Sequence, residues 1–357
     1  MKDRLRDLIK EEVLGLTAYD TETTPCPVRL DANENPFTLP RELREEFFGV
    51  ISGISLNRYP ELGSFSFAAH LSEAYGLEKD MLILGNGSDE LIQILCASLA
   101  NSTVLIPMPA FAMYRIISLN NGHKTLEVPL DSEFDLDLDA MLELMEKWSP
   151  ALILLGYPNN PTGNCFTKGK IETILEKAPG LVVVDEAYGN FSGKSFLPFL
   201  NKYENLVILK SLSKIGFAAL RIGFLIGHAS LVRELNKVRL PYNVNAISQS
   251  GVRFYLKYEA VFREQAAEII KRRDELYLAL QQIKGICPYP SSANFIFFRC
   301  LFDTDRIYEE LVRQGILIRN FGSTGNVKNC MRVTVGKQEE NEEFLDALKC
   351  IIDKLGA

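Results

Sequence analysis

Leu181-Val182-Val183-Val184-Asp185-Glu186-Ala187-Tyr188 is an apolar run that ends abruptly in two acids. Nothing in it alternates apolar with polar, as a strand with one wet face would. Such a strand is covered on both faces, which points to a largely parallel sheet between layers of helix. The same texture recurs at residues 81–84, 104–106, 152–155, 206–209 and 222–226. Helical patterns lie between these runs, among them 89–99 and 168–177. The expected fold is α/β, with a large domain on a mostly parallel, mixed sheet flanked by helices.

The pattern changes from about residue 252. A long charged helix (259–283) precedes an apolar run at 294–299, a helix at 304–314, short runs at 316–318 and 331–335, and a closing helix from 339. That reads as a smaller C-terminal α/β domain. The expected organisation is an N-terminal arm over 1–35, a large domain over 36–250 and a small domain over 251–357. Within the arm, Leu5, Leu8, Ile9 and Val13 fall at helical spacing among mixed charges, without the uncharged stretch of a signal peptide.

The chain has 357 residues, 47% of them hydrophobic, enough for a large core, and a net charge of −7. That acidity argues against a nucleic-acid partner. The longest apolar runs are far too short to span a bilayer, so the expected compartment is the cytoplasm. Seven cysteines, an odd number, show no paired two-residue gaps and read as reduced and structural. His70, His123 and His228 are widely scattered, so neither a metal cage nor an acyl-transfer triad is expected.

In open parallel sheets ligands bind beyond the carboxyl ends of the strands, and the informative residues fall there. After 81–84 comes Gly85-Asn86-Gly87-Ser88-Asp89-Glu90 and then a helix. Its glycines permit a tight turn, Ser88 or Asp89 can cap the helix, and its N-terminus offers an anion site. The third glycine of a dinucleotide fingerprint is missing. Gly193-Lys194-Ser195 would need glycine at 188 to be a P-loop, and Tyr188 stands there. Asp185 ends an apolar strand, where an ionised carboxylate is costly unless a cation meets it. It reads either as a helix cap or as the partner of a protonated pyridine nitrogen. Residues 206–209 lead into Lys210-Ser211-Leu212-Ser213-Lys214, with Gly216 and Arg221 following. Lys214 suits a Schiff-base amine, since nearby cations and partial burial free such a nucleophile. Lys210 competes, but lacks the glycine and arginine that follow. Tyr157-Pro158-Asn159-Asn160-Pro161-Thr162-Gly163 makes a stiff turn beyond 152–155.

Taken in order, 85–90, 159–163, 185–188, Ser213-Lys214, Arg221 and Arg332 resemble the fold-type I, class I/II, pyridoxal-phosphate-dependent aminotransferases over most of the chain. The resemblance implies pyridoxal 5′-phosphate as cofactor, with Lys214 carrying it and shuttling the substrate Cα proton. It implies that Asp185 keeps the pyridinium protonated and that Tyr188 and Asn160 bond the cofactor's phenolic oxygen. Phe111 matches the stacking aromatic. Gly87, Ser88, Asp89, Ser213 and Arg221 match the phosphate cradle, and Arg332 matches the grip on the substrate α-carboxylate. A guanidinium fits a carboxylate in two bonds, which lysine cannot copy. One departure stands out. Lys214 and Arg221 are seven apart, where many relatives place these residues eight apart, and the shorter loop bears on where Arg221 sits.

Residues 30–36, 57–60, 292–295 and 318–320 are most similar to the histidinol-phosphate aminotransferase branch of that class. That likeness implies transfer of an amino group from L-histidinol phosphate to 2-oxoglutarate. It also implies a homodimer in which Tyr59 reaches the partner's cofactor phosphate, with Tyr19 and Arg319 at the substrate's phosphate tail and Glu34 also at the substrate. Two rivals share the framework, an aromatic amino-acid aminotransferase and a threonine-phosphate decarboxylase. A cofactor-sensing transcription regulator is a third, from another class, but only about 30 residues precede the 30–36 segment, too few for a DNA-binding domain.

Overall fold

The computed structural model describes residues 3–16, 24–61, 71–73, 75–100, 102–322 and 327–356. In chain order its strands begin with β1 (Val28–Arg29), β2 (Leu82–Asn86), β3 (Thr103–Met108), β4 (Lys124–Pro129) and β5 (Leu152–Gly156). Next come β6 (Leu181–Asp185), β7 (Leu206–Ser211), β8 (Ile222–Ile226), β9 (Ile286–Pro288) and β10 (Phe295–Cys300). The last three are β11 (Ile316–Leu317), β12 (Arg319–Asn320) and β13 (Cys330–Thr334).

Seven of these strands form one sheet in the order β2-β8-β7-β6-β5-β3-β4. The pairs from β7 to β4 are parallel, and β8 runs antiparallel to both of its neighbours. Residues 212–221 are too short a link for the crossover that a parallel pair requires, so the chain folds straight back from β7 to β8. All six apolar runs become strands of this sheet, and β5 and β8 are buried along their whole length. Strand β4 went unrecognised in the sequence. It sits at the sheet edge and its Lys-Thr-Leu-Glu-Val-Pro mixes exposed with buried positions, so it offers no continuous apolar run.

The C-terminal lobe carries a second sheet, β12-β13-β10-β9, antiparallel throughout. Helices Thr304–Arg313 and Gln338–Gly356 pack against each other beside it. The long charged helix forms as Glu259–Gln281, and a separate helix, Ala246–Lys257, precedes it across a break at Tyr258. The N-terminal arm is less separate than its sequence suggests. Strand β1 pairs in parallel with β11, and the Thr334 main-chain N–H donates to Leu30 O at 2.8 Å, so residues 28–34 run along the C-terminal lobe. The helical spacing near the N-terminus yields two short helices, Asp3–Arg6 and Glu11–Leu14, with Leu5 and Leu8 exposed. No helix among the described residues is long and apolar enough to cross a membrane.

Candidate active site

Strands β5, β6 and β7 end side by side, with Gly156 in register with Asp185 and Asp185 with Leu209. A cavity of about 240 Å³ opens at these ends, closed over by residues 31–33 of the arm and by Arg319, Phe321 and Arg332 of the C-terminal lobe. Site residues remote in sequence therefore meet only where the two lobes and the arm come together.

Lys214 lines this cavity from a π-turn, Ser213–Phe217, in the link between β7 and β8. Gly216 takes a φ of 130° within that turn, a value that glycine reaches without a side-chain clash. Lys214 Nζ donates to Ala32 O at 3.2 Å. The competing lysine is engaged elsewhere. Lys210 Nζ lies 2.6 Å from Glu186 Oε2, and the fully buried Glu186 side chain also accepts from Ser195 Oγ and the Phe196 N–H. Lys210 thus neutralises a buried acid, and Lys214 keeps its amine at the cavity.

Asp185 is only 5% exposed. Its Oδ1 accepts the Ala187 N–H at 2.9 Å and its Oδ2 accepts the Tyr114 hydroxyl at 2.8 Å. Burial outweighs these two bonds and pushes its pKa up to about 6. Because this folded value exceeds the ordinary 3.8, the group favours the fold most below pH 4 and loses that contribution as pH rises through about 6. The chain without ligand is therefore expected to lose stability across that window, and Asp185→Asn to flatten the slope. Urea denaturation between pH 4 and 7 checks this, and an unchanged slope in the variant would refute it. A cation beside Asp185 reverses the balance by favouring the ionised form.

At the opposite end, Gly87, Ser88 and Asp89 lie in the first turn of helix Gly87–Ser98. The N-cap is Asn86, whose main-chain N–H donates to Glu90 Oε2, so the capping expected of Ser88 or Asp89 does not occur. They stand two and three residues past the cap, within the first turn, and line the cavity. Arg221 reaches the same end despite the shorter loop, because it adopts a left-handed φ of 49° and Nη2 bonds Asp89 Oδ2 at 3.0 Å. A Cβ on Gly87 would lie 2.8 Å from that guanidinium, and one on Gly223 would lie 2.5 Å from the Gly87 carbonyl carbon. Ser213 Oγ is buried at this end without a hydrogen-bond partner.

Arg332, 8% exposed, donates from Nη1 to Asn160 Oδ1 at 2.5 Å and from Nη2 to Asp31 O at 2.6 Å. Arg319 stands directly opposite it across the β12–β13 ladder, and both line the cavity. Like charges so placed repel, an arrangement that an anion between them relieves. The two neighbouring asparagines divide their work. Asn159 is buried, holding Pro109 O and Thr162 Oγ1, whereas Asn160 faces the cavity and donates to the Tyr188 hydroxyl at 3.4 Å. Phe111 lines the wall, edge-on to Tyr114 at 5.6 Å.

Two expected residues lie outside this assembly, and a third falls beyond the described residues. Tyr59 is 80% exposed, its ring stacked on Tyr242 at 4.6 Å. Glu34 is exposed and not among the lining residues. Tyr19 lies outside the described residues. Conversely, Tyr114 and Asn33 make site contacts that the sequence reading assigned to neither. Tyr114 carried a weak signal, an aromatic three residues beyond Phe111 in the first turn of the helix Ala112–Asn120. Asn33 sat unassigned within the 30–36 segment.

A lysine amine, a buried acid at a strand end and an arginine pair around one cleft are the equipment of amino-group chemistry on a carboxylate substrate. The chain belongs to the class I and II aminotransferases, whose family model matches residues 26–348. It is similar to histidinol-phosphate aminotransferase 2 of Nitrosococcus oceani, at 43% identity over 98% of both chains. It is 41% identical to the histidinol-phosphate aminotransferase of Aquifex aeolicus, over 98% of this chain and 99% of that one. Among solved structures, the histidinol-phosphate aminotransferase of Sinorhizobium meliloti in complex with pyridoxal-5′-phosphate superposes with a TM-score of 0.88 at 20% identity, covering 97% of this chain and 98% of that one. That likeness speaks to the fold.

Proposed function

We propose that this chain is a pyridoxal-5′-phosphate-dependent aminotransferase that moves the amino group of L-histidinol phosphate to 2-oxoglutarate, giving imidazole-acetol phosphate and glutamate. The observation that carries the substrate reading is the Arg319–Arg332 pair facing the cavity across one strand ladder. The names of the full-length relatives support it.

The residues fit the cofactor at both of its ends. The buried Ser213 hydroxyl without a partner, the first turn at Gly87, Ser88 and Asp89, and Arg221 offer donors for a phosphate. A helix N-terminus contributes roughly 0.3–1 kcal/mol to an anion, so the guanidinium supplies much of the grip. Asp185 holds its acid where a pyridine nitrogen would need one, and Phe111 offers a ring face. Bound there, the cofactor supplies an electron sink for the charge that develops at the substrate Cα. Lys214 provides the amine that carries the cofactor and then moves the Cα proton. Asp185, ionised beside a cationic ring nitrogen, keeps that nitrogen protonated. Tyr188 and Asn160 address the phenolic oxygen. Arg332 fixes the carboxylate-binding end of the cleft, where 2-oxoglutarate and glutamate dock, and Arg319 takes their second carboxylate or the phosphate of histidinol phosphate.

Tyr59 fits a role across a homodimer. It is exposed, does not line its own chain's cavity and follows the exposed Leu56 by three residues, apolar surface suited to burial against a second copy. The small-molecule substrates and the absence of a long apolar helix among the described residues are consistent with a cytoplasmic enzyme.

A substrate panel with 2-oxoglutarate as acceptor tests the reading. Histidinol phosphate is expected to exceed phenylalanine and tyrosine in kcat/KM by about 10² or more, as a site built for a charged group rejects analogues that lack it. Equal or reversed preference would favour the aromatic enzyme, and carbon dioxide release from threonine phosphate would favour the decarboxylase.

A further inference from the structure

Asn33 is 1% exposed and holds a left-handed φ of 55° at the point where the arm passes between the two lobes. Its main-chain N–H donates to Thr334 Oγ1 at 2.9 Å, and Thr334 Oγ1 lies 3.1 Å from Asn33 Oδ1. The Thr334 hydroxyl accepts that N–H and donates its own proton to Asn33 Oδ1. The Asn33 amide is thereby oriented, with Oδ1 toward Thr334 and Nδ2 toward the Tyr188 hydroxyl at 2.9 Å. The second amide is oriented by a different group. Arg332 can only donate, so its bond to Asn160 Oδ1 turns Asn160 Nδ2 toward the same hydroxyl, at 3.4 Å.

Two amide N–H groups of imposed orientation therefore converge on one phenol oxygen. The phenol oxygen thus accepts one short bond from Asn33 and a longer one from Asn160, which leaves its proton to be given elsewhere. We infer that Asn33 is a positioning residue which, together with Asn160, makes the Tyr188 phenol an obligatory hydrogen-bond donor into the cavity. The inference rests on the proposed cofactor reading and deepens it. A phenol that can only donate stabilises an anionic oxygen opposite it and disfavours a protonated one. Asn33 also spans the structure, with Thr334 in the C-terminal lobe and Tyr188 beyond β6, so the polarity is imposed only when both lobes and the arm are assembled.

The readout is the pH midpoint at which the visible band of the bound cofactor changes, measured on the purified holoenzyme. Among the described residues, Lys214 Nζ lies 5.8 Å from the Tyr188 ring centroid, Tyr114 interacts with Tyr188 and bonds Asp185, and Arg332 bonds the Asn160 that reaches the Tyr188 hydroxyl. None of Lys214, Tyr114, Asp185 and Arg332 is altered by the substitutions below. Asn33→Asp replaces a donor by an acceptor of nearly the same shape, and the phenol then turns its proton toward it. The midpoint is expected to rise by about one pH unit, a tenfold change in the proton equilibrium. Because Asn33→Asp also adds a charge, the same substitution is made in a Tyr188→Phe background. There it should produce little further shift, since the phenol that transmits the effect is gone.

Thr334→Val, which adds no charge and releases the amide lock, should raise the midpoint by a smaller amount and covers the case in which Asn33→Asp fails to fold. An unshifted midpoint in both Asn33→Asp and Thr334→Val overturns the assignment, as does an undiminished shift in the Tyr188→Phe background. A wild-type chain that holds no cofactor overturns this and the functional reading together. A wild-type chain with the visible band and unshifted variants overturns only the polarity of Tyr188.

Discussion

Lys214→Ala is expected to remove the visible absorption of the cofactor-loaded protein and to lower transamination by about 10⁴ or more. Two functions disappear with one amine. Positioned proton transfer contributes on the order of 10²–10⁴ by itself, and loss of the covalent attachment comes on top of that. Exogenous amines should restore part of the rate but not the band of the resting protein. Lys210→Met is the informative control. Its ammonium meets the fully buried Glu186 at 2.6 Å and is absent from the cavity wall. Removing one partner of a buried pair costs about 3–5 kcal/mol, because the other charge is left in the core. Lys210→Met should therefore unfold at much lower urea while keeping the band. If the band survived Lys214→Ala and vanished in Lys210→Met, the assignment of the two lysines would be reversed.

Arg332→Lys should lower kcat/KM for every carboxylate substrate by about 10²–10⁴ while the visible band of the cofactor held by Lys214 persists. Hydrogen bonds to a charged group contribute roughly 1.5–3 kcal/mol each, and a guanidinium offers two in parallel where an ammonium offers a point charge. At about 1.4 kcal/mol per tenfold, losing two such bonds spans that range. The structure gives the substitution a second cost. Nη1 and Nη2 already hold Asn160 Oδ1 and Asp31 O, so lysine also loosens the arm and the 157–163 turn. Steady-state kinetics with 2-oxoglutarate, together with the absorption spectrum, check the result. A kcat/KM within tenfold of wild type would remove Arg332 from the substrate site.

Much of the architecture was legible because buried strands leave a plain trace. Each of 152–155, 181–184 and 222–226 is an uninterrupted apolar run, since strands covered on both faces have no polar side to show. Edge strand β4 left no such trace, because half its positions meet solvent. The site residues were legible for a related reason. Acid, lysine and asparagine stand at the ends of apolar strands, the one place in such a sheet where ligand chemistry is exposed. Tyr114 and Asn33 escaped because each acts on another side chain across a long sequence separation. The bonds Tyr114–Asp185 and Asn33–Tyr188 leave no local spacing to read. Ser88 and Asp89 do not cap the helix, because its start two or three residues earlier is finer than local composition resolves.

The amino-acid order by itself determined the alternation of buried strands with helices, the lysine and acid that stand at strand ends, and the arginines that accompany them. Those follow from local hydrophobic periodicity and turn chemistry, which act over a few residues. Tertiary structure alone decided which lysine is committed to a buried carboxylate and how Arg221 reaches Asp89 from a shorter loop. It also decided that Arg319 and Arg332 face each other across one ladder and that residues 28–34 run along the C-terminal lobe. These are contacts between segments far apart in the chain, and they exist only after burial of the two lobes has fixed the distances between them.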